Sequence, residues 1–185
     1  SFFGQEGYIP IQTKTENLDT YAVRVQELIE EIKLETGKDK TILMAHSMGG
    51  LVARRYIQIF GNDSVDRLVL IGTPNKGITG KIKRYCSYFG TSLECRDMDE
   101  NSLFINKLNN RYSDKIKTYN IIGRGCEMDG EDGDGIVLVE KALISADKTY
   151  FVNGTCSGTN LLHGEMLDMD IHPETYNYIK EILDV

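Results

Sequence analysis

The sequence predicts an α/β fold in which a mostly parallel sheet is covered by helices on both faces. Short buried strands alternate with amphipathic helices, one strand runs through a sharp turn directly into a helix, and the chain closes on a helix that begins with proline. From Leu18 onward, Leu18, Tyr21, Ala22, Val25, Leu28, Ile29 and Ile32 recur at steps of three and four. That spacing puts them on one stripe of a helix, which Gly37 ends. Residues 40–45 read as a short buried strand, 46–50 as a tight turn, and 51–60 as a helix stopped by Gly61. Another buried strand spans 65–71, and 117–122 and 149–152 supply two more. Pro173 then starts a helix with the stripe Tyr176, Ile179, Ile182 and Leu183. Residues 76–110 break this rhythm. They mix Lys81, Lys83 and Arg84 with aromatics and two cysteines before a short helix at 103–108, and read as a cap inserted over about 76–113. With no internal repeat or linker, residues 1–185 are expected to form one domain.

The chain has 185 residues, of which 41% are hydrophobic and 26% charged, with 18 glycines and 3 prolines, the composition of a globular domain. Its 21 basic and 28 acidic residues give a formal charge of −7, and no basic block stands out, which argues against a nucleic-acid partner. No window approaches the roughly 18 uncharged apolar residues of a membrane-spanning helix. Neutral or apolar small molecules remain as substrates, and nothing in the sequence sets the oligomeric state.

Cys86, Cys95, Cys126 and Cys156 include no C-x-x-C pair, so zinc or dithiol redox chemistry is not expected. The simplest oxidised pairing joins Cys86 to Cys95 and Cys126 to Cys156; free buried thiols are the alternative. The bonded form implies a soluble secreted or membrane-peripheral protein, the free form a cytoplasmic one. Sequons at Asn62 and Asn153 matter only in a secreted eukaryotic protein.

The most informative stretch runs from Ile42 to Leu51, where Ser47 stands at the corner between a buried strand and a helix. Such a corner crowds the backbone two residues either side of the serine, and Ala45 and Gly49 are small enough to permit it. The following helix aims its first amides at the reacting centre, so the Met48 N–H is a candidate oxyanion donor.

Ala45-His46-Ser47-Met48-Gly49-Gly50 resembles the nucleophile elbow of α/β-hydrolases, in the form used by lipases and lipase-like esterases. Ala45 replaces the usual first glycine, as in bacillus-type lipases. Ile71-Gly72-Thr73-Pro74-Asn75-Lys76-Gly77 resembles the strand end and loop after the elbow, and residues 97–109 resemble a cap-helix segment. The likeness runs from about Thr20 to the C-terminus. It implies an α/β-hydrolase fold, a serine nucleophile, and a chain order of Ser, Asp, His for the triad.

His163 and His172 are the candidate bases, because His46 lies inside the elbow. His163 occupies a loop after the last strand and before the final helix, where the family places its base; His172 reads as a helix-boundary residue. For the acid, Asp134 in Gly133-Asp134-Gly135-Ile136-Val137 resembles the family's Asp-Gly-x-Val segment, with Asp132 as the alternative. Asp129, Glu131, Asp132 and Asp134 also read as a solvated acidic loop or a loose calcium site. An EF-hand beginning at Asp129 fails, because Asp134 stands where that loop demands glycine. Lys81, Lys83, Arg84, Tyr85, Tyr88 and Phe89 are either a lid that shields an acyl chain or meets a lipid interface, or an ordinary solvated surface.

The glycine-rich loop that supplies the family's second oxyanion donor has no match in the chain. Gly7-Tyr8-Ile9-Pro10-Ile11 resembles the strand that follows that loop, and Ser1-Phe2-Phe3-Gly4 is too short to replace the strand beside the elbow strand. The chain is therefore expected to be the C-terminal portion of a longer fold. The resemblance implies hydrolysis of carboxylic, lipid or acyl esters through an acyl-Ser47, with Asp134, His163 and the Met48 amide, and without metal or cofactor. A lipid acyltransferase, a thioesterase and a non-catalytic binding domain are the alternatives.

Overall fold

A computed structural model describes residues 16–80, 86, 91–110 and 116–184. Helix α1 spans Leu18–Thr36: Asn17 caps it by accepting the Thr20 amide, and Gly37, left-handed at φ 65°, ends it. Leu18, Tyr21, Ala22 and Ile29 of the expected stripe are its buried residues. Strand β1 (Thr41–His46) leads through Ser47 into α2 (Met48–Phe60), and β2 (Val65–Ile71) follows. Helices α3 (Ser92–Met98) and α4 (Leu103–Asn110) precede β3 (Lys117–Arg124). A hairpin of β4 (Cys126–Met128) and β5 (Glu131–Gly133) and a short helix α5 (Val139–Ala142) lead to β6 (Lys148–Asn153). The chain ends with α6 (Leu162–Glu165) and α7 (Pro173–Leu183).

The main sheet has the order β1-β2-β3-β6, and every pairing in it is parallel. This is the expected α/β-hydrolase arrangement. Parallel strands covered on both faces read as continuous apolar runs, and β2 shows why. Leu68 and Leu70 join Ala22, Ile29, Ala53, Tyr56 and Ile57 beneath α1 and α2. Val69 and Ile71 point the other way, to Leu162, Met166 and Ile182 of the α6–α7 layer. Among the described residues β1 pairs only with β2. Its Leu43 and Ala45 pack under α1 and α2, whereas Ile42 and Met44 on the opposite face are 40% and 42% exposed.

Helices α3 and α4 pack against α1 and α2 through Leu18, Tyr21, Leu51, Val52, Met98, Ile105 and Leu108. The Tyr21 hydroxyl donates to the buried Glu94 carboxylate at 2.7 Å, and burial together with that carboxylate pushes the phenol up to about 12. Cys86–Cys95 and Cys126–Cys156 are disulfides, the local pairing rather than free thiols. Residues 1–15, with the Gly7–Ile11 strand reading and Ser1–Gly4, lie outside the described residues, as do Lys81, Lys83, Arg84, Tyr85, Tyr88 and Phe89. Among the described residues no helix is long and apolar enough to cross a membrane.

The polar hairpin and the helices α3, α5 and α6 had no apolar period to announce them. α3 begins instead with a capping box, in which Thr91 and Glu94 each bond the other's backbone amide. Close approach of α2 to the loop after β2 depends on Gly50, where a methyl group would overlap the fully buried Thr73 side chain. Gly50→Ala is expected to lower stability by about 2 kcal/mol, read from the urea midpoint at unchanged slope.

Candidate active site

Ser47 sits between β1 and α2 at φ 55° and ψ −131°, a backbone state that costs a non-glycine residue on the order of 1–3 kcal/mol. Two contacts hold it there. Its amide donates across the sheet to Ile71 O at 2.8 Å, and its carbonyl accepts the Gly50 amide at 3.0 Å. The turn lifts the hydroxyl above the C-terminal ends of the parallel strands. Met48 begins α2, so its amide has no partner four residues back within the helix and belongs to the positive end of the helix dipole.

His163 lies 2.9 Å from Ser47 Oγ through Nε2 and 2.8 Å from Asp134 Oδ2 through Nδ1. The sequence placed it in a loop; it stands instead on the four-residue helix α6, whose neighbours Leu162 and Met166 are anchored in the core. Asp134 is 1% exposed. Its Oδ1 accepts the amides of Ile136 at 2.9 Å and Val137 at 2.6 Å, leaving Oδ2 for the imidazole. All three are contacts an acceptor-only carboxylate makes, so Nδ1–H donates to Asp134 and Nε2 accepts the Ser47 hydroxyl. The main chain repeats the link, because the His163 amide donates to Asp134 O at 2.8 Å.

The other candidates lie elsewhere. His172 is at the start of α7, with Nδ1 3.0 Å from Glu174 Oε1. Asp132 is exposed on β5 and accepts the Gly125 amide at 2.6 Å. Among the described residues, no group of three or more His, Cys, Asp or Glu side chains is placed to hold a metal ion.

Three further groups support this line, and the first, His46, is the backbone-bonded elbow residue its place in the sequence suggests. His46 Nε2 donates to the His163 carbonyl at 2.8 Å, and the two rings lie 4.6 Å apart. Gly72, at φ 53°, leaves the space beside the His163 and Asp134 side chains, where a Cβ would come within 3.2 Å of Nδ1. The amides of Ile136 and Val137 orient the carboxylate. For Gly72 and for the Ile136 and Val137 amides, the resemblance of their segments was the one sequence signal. A cavity of about 910 Å³, lined in part by Ile78, Met128, Val137 and Leu138, shares Ile136, Thr159 and Leu161 with a smaller one of about 460 Å³ that reaches His163. The larger cavity, beside the hairpin, is mainly apolar, whereas the smaller one at His163 is also lined by Asn160, Glu165 and Asp168.

A family described as alpha/beta hydrolase fold matches residues 10–117. None of the curated proteins matches the sequence. Among solved structures, the phospholipase PlaB from Legionella pneumophila, in complex with thio-NAD, superposes with a TM-score of 0.74 at 16% identity, covering 97% of this chain and 49% of that one. The chain thus spans about half the length of that phospholipase. A mature lipase from Bacillus licheniformis gives a TM-score of 0.62 at 14% identity, over 86% of this chain and 75% of that one. A bromoperoxidase from Bacillus anthracis gives 0.59 at 15%, over 95% and 77%. At these identities the likeness is one of fold.

Burial, and then the neighbouring His163, lower His46 to about 4 from 6.5. The folded protein therefore binds fewer protons than the unfolded chain between those values. The resulting stability is whole above pH 6.5 and is lost, up to about 3 kcal/mol, as pH falls toward 4. His46→Gln, whose amide can also donate to His163 O, is expected to flatten the stability profile across that window in urea titrations.

Proposed function

The chain belongs to the alpha/beta hydrolase fold family, and we propose that within it the protein is a serine hydrolase that cleaves carboxylic esters, with lipid or acyl esters as its substrate class. The observation that carries this reading is the hydrogen-bonded line from Ser47 through His163 to Asp134, mounted on a strand-to-helix turn. The phospholipase and lipase likenesses and the mainly apolar cavity between the hairpin and the loop after β2 support the choice of substrate.

In the proposed reaction His163 Nε2 takes the Ser47 proton as Oγ attacks the ester carbonyl. Asp134 holds the ring in the tautomer that leaves Nε2 free and stabilises the imidazolium that forms. Negative charge developing on the carbonyl oxygen is met by the Met48 amide and the positive end of α2. The tetrahedral intermediate collapses as His163 returns the proton to the departing alcohol, leaving acyl-Ser47. A water deprotonated by His163 then attacks the acyl carbon, and collapse releases the acid and restores Ser47. No cofactor or metal takes part. The same reading treats 1–185 as one domain with 76–113 as its cap, and the two disulfides suit an oxidising compartment.

Incubation with a fluorophosphonate probe, followed by intact-mass analysis, is expected to add one label to the protein and none to Ser47→Ala. Folded protein that takes no label and cleaves no ester of any chain length would sink the reading in favour of a non-catalytic binding domain. In p-nitrophenyl ester hydrolysis, Asp134→Asn is expected to lower kcat by about 10⁴, because the amide favours the wrong imidazole tautomer.

A further inference from the structure

We propose that the Cys126–Cys156 disulfide is a positioning element of the site, clamping the segment that carries Asp134 to the segment that carries His163. Its catalytic consequence rests on the serine-hydrolase reading above; its geometric consequence does not.

The bond joins the exits of two neighbouring parallel strands. On one side, β3 ends at Arg124, and Cys126 opens the hairpin opposite Gly133, the residue before Asp134. On the other, β6 ends at Asn153, and Cys156 stands six residues before Leu162. The two exits already touch, because the Gly154 amide donates to Arg124 O at 3.0 Å. Cys156 Sγ then lies 3.5 Å from Asp134 O and accepts the Leu162 amide at 3.5 Å. A disulfide sulfur carries no proton, so the first of these is packing and the second a weak hydrogen bond. One sulfur atom therefore touches the carbonyl of Asp134 and the amide that precedes His163. The space is full: a Cβ on Gly135 would come within 2.7 Å of that sulfur.

The elements on either side are short. β4 and β5 have three residues each, and a two-stranded ribbon is marginal alone. α6 has four residues, and residues 154–161 before it contain no helix or strand beyond an isolated Ser157–Asn160 bridge. Ser47, in contrast, is fixed between a six-residue strand and a 13-residue helix. Opening the bond therefore loosens the Asp134–His163 contact and leaves the elbow in place. The second disulfide, Cys86–Cys95, packs in the α1–α2–α3 cluster and serves as the control.

The test uses the whole chain with two bond-free pairs, Cys126→Ser/Cys156→Ser and the more apolar Cys126→Ala/Cys156→Val, beside Cys86→Ser/Cys95→Ser. The primary readout is the downfield proton resonance of His163 Nδ1–H bonded to Asp134, assigned by its disappearance in His163→Gln. The second is kcat/KM on a p-nitrophenyl ester. Both Cys126/Cys156 variants are expected to keep native circular dichroism, lose the resonance, and fall about a hundredfold in kcat/KM, the cost of a misplaced catalytic group. The control keeps the resonance and the rate. A folded Cys126/Cys156 variant that retains the resonance overturns the proposal. So does loss of native circular dichroism in both variants, since the bond would then serve the whole fold. If the wild type shows the resonance yet neither labels nor hydrolyses, the hydrolase reading falls while the resonance alone judges the disulfide.

Discussion

The turn at Ser47 is the constraint on which the site depends. A strand that passes into a helix within one residue forces that residue out of ordinary backbone space, and Ser47 takes the strain at φ 55° and ψ −131°. The strain persists because the surroundings over-determine it. The Ser47 amide is bonded to Ile71, β1 is locked in register to β2, and α2 packs into the core through Leu51, Val52 and Tyr56. Small neighbours are needed for that closeness, which is why Gly50 and not a larger residue faces Thr73.

Around this rigid corner the other two groups are placed less directly. Asp134 follows a three-residue strand, and His163 rides on a single turn of helix. Their alignment comes from redundancy: two backbone amides hold one carboxylate oxygen, the imidazole takes the other, and the main chains of the two segments are bonded to each other. His46 ties the His163 carbonyl back to β1 and so connects the His163 and Ser47 segments outside their side-chain contact. Buried polar networks are stable when every member is satisfied, and Asp134 and His163 meet that condition.

Much of this was legible in advance, for physical reasons that differ by element. Helix α1 announced itself because its buried residues fall on a 3.6-residue period and Gly37 provides the left-handed cap. Strand β2 was visible as the apolar run Leu68–Ile71 because both its faces are covered, whereas β3 shows only Ile121 and Ile122 side by side and buries polar Thr118 and Asn120. The hairpin before Asp134 was not, since its strands carry Glu127, Glu131 and Asp132 outward and have no alternating apolar face. α6 escaped notice for a related reason: four residues cannot show a period, and only Leu162 within them is a large apolar anchor.

What the sequence by itself determined was the fold class and the local chemistry, because periodicity, glycine caps and the crowding around Ser47 act over a few residues. The crowded corner marked Ser47 and the Met48 amide, while the resemblance implied Asp134 and His163 and left Asp132 and His172 open beside them. Only the tertiary structure decided which of these meet. Ser47, Asp134 and His163 are separated by up to 116 positions along the chain. They converge because β1, β3 and β6 run parallel and release their C-terminal ends at one edge of the sheet. That convergence depends on strand order, which arises from long-range pairing and packing that no local window contains.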